Sequence, residues 1–241
     1  MAIKHRYSID EVKSTYSPAK AREEWYGDWA SALIFRPLSF LLTPPLLRLG
    51  FSASTVTLLS LLTGLSLPLI ALYGSVSSIL WVAGLATVWL VLDCVDGNIA
   101  RVLGTAGCAG QYFDFAADVL FRGCFYAAIG LLADALPGAK GNGFQLTMLA
   151  AYVAMAARFC RLFYARQSGT DIYEDPGPVK PRGVAQIIFS FLSGLDRLLP
   201  LMVLGGGLAG RMDWIIFFLL IYSGLDFLYS QFSIVCRIRG T

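Results

Sequence analysis

The chain has 241 residues, of which 56% are apolar and only 15% charged, and its mean hydropathy is +0.64. An average soluble domain is roughly a quarter charged, so this composition argues against a water-soluble globule, a disordered chain and a nucleic-acid binder. Nineteen basic and sixteen acidic residues leave a net charge of +3, too mild to imply a polyanionic partner.

Five cysteines, Cys94, Cys108, Cys124, Cys160 and Cys236, are odd in number and form no CxxC pair. Neither a disulfide framework nor a zinc site is expected; Cys94 and Cys108 read as small buried apolar residues. Residues 1–16 contain no apolar core, so a secretory signal peptide is not expected there. His5, the single histidine, lies in this polar stretch and offers little chemistry.

Residues 1 to about 30 are polar and charged. Trp25, Tyr26 and Trp29 follow, and then an apolar stretch broken by Arg36, Pro37, Pro44, Pro45 and Arg48. Aromatic and cationic residues in this mixture suit headgroup depth, and the expectation is an amphipathic juxtamembrane segment. The alternative is a soluble amphipathic helix packed on the bundle. The expected division is an interfacial N-terminal segment over 1–51 and a catalytic domain over 52–241.

Six apolar stretches come next, near 53–73, 78–103, 109–133, 144–165, 184–204 and 213–235. Each approaches the ~20 residues needed to cross the hydrocarbon core. Turn residues separate them: Gly74-Ser75, Gly104 to Gly107, Pro137 to Gly143, the polar loop 168–183, and Gly205 to Gly207. Only helices satisfy the backbone across lipid in segments of this length. The predicted fold is all-α, an integral membrane bundle of six transmembrane helices.

The basic residues predict its orientation. Lys4, Arg6, Lys13, Lys20, Arg22, Arg36 and Arg48 precede the first span; Arg101, Arg158, Arg161, Arg166, Lys180, Arg182, Arg237 and Arg239 fall on the same side. Only Lys140 and Arg211 fall opposite, with Arg122 and Arg197 inside spans. The positive-inside rule then puts both termini and the 168–183 loop in the cytoplasm, in a cytoplasmic membrane.

Four carboxylates interrupt the second and third spans: Asp93, Asp96, Asp114 and Asp118. Each is costly in a membrane, and such residues face a bundle interior or a wet cavity. Asp93 and Asp96 share a helix face, which Gly97, Ala100, Arg101 and Gly104 continue. Gly110, Asp114, Asp118 and Arg122 recur every four residues and form one stripe. An antiparallel hairpin around Thr105-Ala106 sets Asp93 level with Asp118, and Asp96 level with Asp114. If the two faces meet, the result is an acidic cup with an arginine at its mouth. One reading is a buried ion network holding helices together. The other is a site for a hard divalent cation, Mg²⁺ or Mn²⁺, which oxygen-only ligands suit. Such ions beside a glycine-lined recess suit a phosphate-bearing ligand.

The run DCVDGNIARVLGTAGCAGQYFDFAAD, residues 93–118, carries D-x-x-D-G-x-x-A-R-x₈-G-x-x-x-D-x-x-x-D at all eight fixed positions. It resembles the signature of the CDP-alcohol phosphotransferases, also called CDP-alcohol phosphatidyltransferases. Six spans, an interfacial N-terminal segment and the SASTVTLLSLL run at 52–62 extend the likeness more weakly. The resemblance implies transfer of a phosphate-bearing group from a CDP-linked donor to a hydroxyl, with release of CMP. It implies that Asp93, Asp96, Asp114 and Asp118 hold divalent metal and that Asp118 is also the general base. Gly97, Ala100, Gly110 and Arg101 would receive the CDP moiety. A homodimer is expected from the resemblance alone.

Donor and acceptor stay open at this point. CDP-diacylglycerol with a small polar alcohol is favoured, in phospholipid biosynthesis among membrane lipids. A soluble CDP-alcohol of the choline or ethanolamine type with a diacylglycerol-like acceptor is the alternative. A phosphorylated acceptor would need cations, for which Arg158, Arg161 and Arg166 are candidates, or else an ordinary positive-inside anchor. Of the charged residues within the fifth and sixth spans, Asp196, beside Arg197, reads as pairing with a neighbouring helix, and Asp226 as hydrogen-bonded locally among Ser223 and Tyr222. A reading of another class is a cation transporter, which would spread its carboxylates along a path rather than gather them at one level.

Overall fold

The protein is described by a computed structural model over residues 7–136, 141–168, 191–192 and 194–240. Helices α1 (Ile9–Ser14) and α2 (Pro18–Gly27) lead through a π-helical turn (Ser31–Phe35) into α3 (Arg36–Arg48). Five helices long and apolar enough to cross a membrane are present: α4 (Ala53–Ala71), α5 (Val76–Val102), α6 (Cys108–Ala135), α7 (Gly143–Gln167) and α9 (Met212–Gly240). A shorter apolar helix, α8 (Leu199–Leu208), precedes α9. Among the described residues there is no strand, and the all-α membrane bundle holds.

The span bounds follow from local chemistry. Ser52 caps α4 by accepting from the Thr55 amide at 3.2 Å. Ser75 caps α5 in a reciprocal box with Ser78, which satisfies two otherwise orphaned amides. Gly74, at φ +58°, supplies the left-handed turn between these two helices. The fifth expected span is only partly described: 184–190 and 193 lie outside the described residues, as do most of the 168–183 loop, Lys4, His5, Arg6, Lys140, Lys180 and Arg182.

The hairpin of α5 and α6 differs from two faces in direct contact. Helix α4 packs along both, and α5 and α6 touch each other over much less of their length. Small residues on α4 permit this: Ser60 is buried, and a Cβ added at Gly64 would sit 3.5 Å from the Phe121 ring. Trp89 of α5 stacks on Phe121 of α6, with centroids 3.7 Å apart and planes 4° apart. Two large rings therefore stand where a tight helix crossing would have to pass. The α6–α7 crossing is close instead. Gly130 backs onto Phe144, whose Cα lies 2.6 Å from where a Cβ would be. Asp134 accepts from the amides of Gly143 and Phe144 at 2.7 and 2.9 Å, capping α7 from its neighbour.

The N-terminal segment is docked on the bundle through α3, which packs on α5, with α1 against α3. Helix α3 runs through Pro44 and Pro45, although each proline removes one backbone donor. Two further contacts tie the segment to the residues before α8. Trp29 donates to the Phe191 carbonyl at 3.1 Å and stacks on its ring, and Arg197 pairs with Asp28 at 2.8 Å. Val12, Phe35 and Leu47 are buried, while Trp25, Leu33, Leu41 and Leu49 stay exposed. The segment is thus a helix docked on the bundle with apolar side chains left exposed.

Candidate active site

Asp93 and Asp96 project from the C-terminal half of α5, and Asp114 and Asp118 from the N-terminal half of α6. Asp96 is buried and accepts a 2.7 Å hydrogen bond from the Thr57 hydroxyl of α4. Asp93 is half-buried and Asp114 lies exposed at the mouth of the hairpin. Asp93 and Asp96 both lie near enough to Asp114 to interact electrostatically with it. Three of the four motif carboxylates thus lie near one another across the gap between α5 and α6, with Thr57 of α4 holding Asp96.

The fourth is engaged elsewhere. Asp118 forms an ion pair with Arg158 of α7, and the Arg158 guanidinium carbon sits 4.7 Å from the Phe115 ring centroid. Among the described residues, no three His, Cys, Asp or Glu side chains converge to hold a metal ion. The donor chemistry itself, carboxylate oxygen throughout, fits a hard divalent cation. Asp118 would exchange Arg158 for the cation to join such a set.

The small residues of the motif have distinct surroundings. A Cβ on Gly97 would stand 3.4 Å from Nη1 of Arg101, so this glycine lets the Arg101 side chain lie along the helix. Gly110 faces open space, and Ala100 is half-buried. Arg101 donates through Nη2 to Oδ1 of Asn98 at 2.7 Å. Its Nε is buried and has no partner among the described residues.

A second group lies behind the motif. Arg36 is buried and pairs with Glu24, with Nε donating to Oε2 at 3.0 Å. It also donates to the Cys94 carbonyl at 3.2 Å and to Asn98 Oδ1 at 3.3 Å. Its guanidinium lies over the Tyr16 ring, and the Tyr16 hydroxyl donates to Glu24 at 2.5 Å. Burial, and then Glu24, hold the Tyr16 phenol above its usual pKa, so it stays a donor. These residues carry no fixed spacing. The only signal in the sequence was a lone arginine beside a proline within an apolar stretch.

The three arginines considered for an acceptor part company. Arg158 faces Asp118. Arg161 is engaged by α9, donating to Asp226 Oδ1 at 2.6 Å and to the Ser230 hydroxyl. Arg166 is exposed in the last turn of α7. Deeper in the bundle, Arg122 pairs with Asp196 at 3.0 Å, and the Tyr126 hydroxyl donates to Asp196 at 3.4 Å. A small cavity beside Asp118 is lined by Leu90, Phe121, Arg122, Tyr126 and Asp196, among others. Asp196 thus holds helices together, as its pairing reading expects, whereas Asp226 does so through Arg161 of α7 rather than bonding only locally.

The family model for CDP-alcohol phosphatidyltransferase matches residues 51–225. That stretch contains every fixed position of the 93–118 motif, and also Thr57, Arg158, Arg161 and Asp196; it leaves out α1 to α3. No curated protein matches the chain.

Proposed function

Because the chain belongs to the CDP-alcohol phosphatidyltransferase family, and so transfers a phosphate-linked group from a CDP-alcohol, we propose that its donor is CDP-diacylglycerol and its acceptor a small polar alcohol. The phosphatidyl group moves to the acceptor hydroxyl and CMP is released. The observation that carries this reading is the proximity of Asp93 and Asp96 on α5 to Asp114 on α6, with Asp118 one helical turn beyond Asp114. Exposed Tyr112 and Phe113 beside Asp114 offer an apolar rim for a lipid-linked donor.

In this reading Asp93, Asp96, Asp114 and Asp118 hold Mg²⁺ or Mn²⁺. A cation held there would supply charge neutralisation for the phosphate oxygens and the departing CMP. Gly97, Ala100 and Gly110 leave room for close approach of the CDP moiety, and the donors of Arg101 orient its phosphates. Asp118 takes the proton from the acceptor hydroxyl as its oxygen bonds to the phosphatidyl phosphorus. The bond from that phosphorus to CMP breaks, and CMP leaves with the electron pair. Arg158, beside Asp118, is the arginine best placed to meet an acidic acceptor. The distribution of basic residues supports a site facing the cytoplasm, and the family resemblance supports a homodimer.

Reversal of the substrates, with a soluble CDP-alcohol and a lipid acceptor, is the second reading within the family. Membranes containing the protein are incubated with CDP-diacylglycerol labelled in its acyl chains, or with CDP-choline or CDP-ethanolamine labelled in the alcohol. The proposal expects label from CDP-diacylglycerol in a new phospholipid. Label from choline or ethanolamine in lipid, with none from CDP-diacylglycerol, overturns it.

A further inference from the structure

Asn98 occupies one of the variable positions of the motif, between Asp96 and Arg101, yet it is fully buried and every hydrogen-bonding group on its side chain is used. Its amide nitrogen donates to Ser39 Oγ at 3.0 Å and to Thr43 Oγ1 at 3.1 Å, both on α3. Its carbonyl oxygen accepts from Arg36 at 3.3 Å and from Arg101 at 2.7 Å.

The direction of this amide is determined by its neighbours. The Ser39 hydroxyl gives its hydrogen to the Arg36 carbonyl at 2.8 Å, and Thr43 gives its own to the Ser39 carbonyl at 2.7 Å. Both oxygens can then act towards Asn98 only as acceptors, so the NH₂ group faces α3. The Asn98 oxygen is left pointing at the two guanidiniums. These like charges share one oxygen, and Glu24, paired with Arg36, offsets them.

We infer that Asn98 is a positioning residue, through which α3 holds the Arg101 guanidinium in the orientation that receives the CDP phosphates. Arg101 is otherwise loosely held among the described residues: Nη1 lies over Gly97 and Nε has no partner. Asn98 therefore sets where its remaining donors point. Helices α1 to α3, outside the matched family region, become part of the nucleotide site by way of this residue. The inference rests on the reading of Arg101 as a CDP ligand.

The test is a double-mutant cycle on CDP affinity, measured by calorimetry on the full detergent-solubilised chain with Mg²⁺ or Mn²⁺. Its members are the wild type, Asn98→Leu, Arg101→Ala and the double variant. Each single variant is expected to weaken CDP binding by about tenfold or more, as for a hydrogen bond to a charged group. The double variant is expected to be no weaker than Arg101→Ala, because Asn98 acts only through Arg101. Thr43→Val, which leaves Asn98 in place and removes one of its anchors, is expected to weaken CDP binding by about threefold, and only when Arg101 is present. Additive losses, or an Asn98→Leu affinity equal to wild type beside a weakened Arg101→Ala, overturn the inference alone. Failure of the wild type to bind CDP, or full affinity in Arg101→Ala, overturns the reading of the site and the inference with it.

Discussion

Replacing Asp118 by asparagine is expected to slow CMP formation by about a thousandfold while CDP still binds within about tenfold of wild type. Asparagine keeps the volume and one acceptor oxygen but cannot take a proton from the acceptor hydroxyl. The nucleotide should still bind, because Asp93, Asp96 and Asp114 would remain to hold the cation and Arg101 to meet the phosphates. The substitution also takes the counter-charge from Arg158, whose side chain is 29% exposed and lies over Phe115. Partial solvation and the aromatic contact limit the cost of that loss, so the variant should remain folded. Single-turnover CMP release, with CDP affinity measured in parallel, checks both halves. Turnover equal to wild type would remove Asp118 from the role of base.

The largest effect on stability is expected at Arg122. Arg122→Met leaves Asp196, 8% exposed in its side chain, as a buried carboxylate that has lost its ion-pair partner and keeps the Tyr126 hydroxyl as a neutral one. Breaking a buried pair from one side costs about 3–5 kcal/mol, because the surviving charge has lost both water and its partner. The double variant Arg122→Met/Asp196→Leu removes both charges and is expected to recover most of the loss. Thermal unfolding in detergent reads the two variants side by side. A single variant as stable as wild type would mean that the pair is solvated or bears little on folding. Because the cavity beside Asp118 is lined by the same two residues, the double variant also shows whether that wall matters for turnover.

Much of this architecture was legible because membrane helices are specified locally. The predicted start near residue 53 corresponds to Ala53 after the Ser52 cap, and the predicted 109–133 to Cys108–Ala135. Capping serines, a left-handed glycine and a run of apolar residues need no knowledge of distant contacts. The four aspartates were legible for the same reason: a carboxylate in a span is conspicuous by its cost. Helix packing was less accessible. Matching heights on α5 and α6 assumes that two straight helices meet, whereas Gly64 and the stacked Trp89–Phe121 pair admit α4 between them. The partners of the arginines were hidden as well. Arg158 to Asp118 and Arg161 to Asp226 join different helices with no periodic relation in sequence. Asn98 was unreadable: its role depends on two hydroxyls of α3 more than fifty residues away.

The proposed transferase, four aspartates on one hairpin acting with a divalent cation on a CDP-linked lipid, is tested by CMP release from the purified full chain, reconstituted in liposomes containing CDP-diacylglycerol. A panel of small alcohols is supplied as acceptors, with Mg²⁺ or Mn²⁺. CMP and a new phospholipid are expected in equal amounts with at least one alcohol, with loss of both on chelation and recovery when metal is restored. Absence of CMP with either metal, from CDP-diacylglycerol and from every other CDP-alcohol tried, would contradict the proposal.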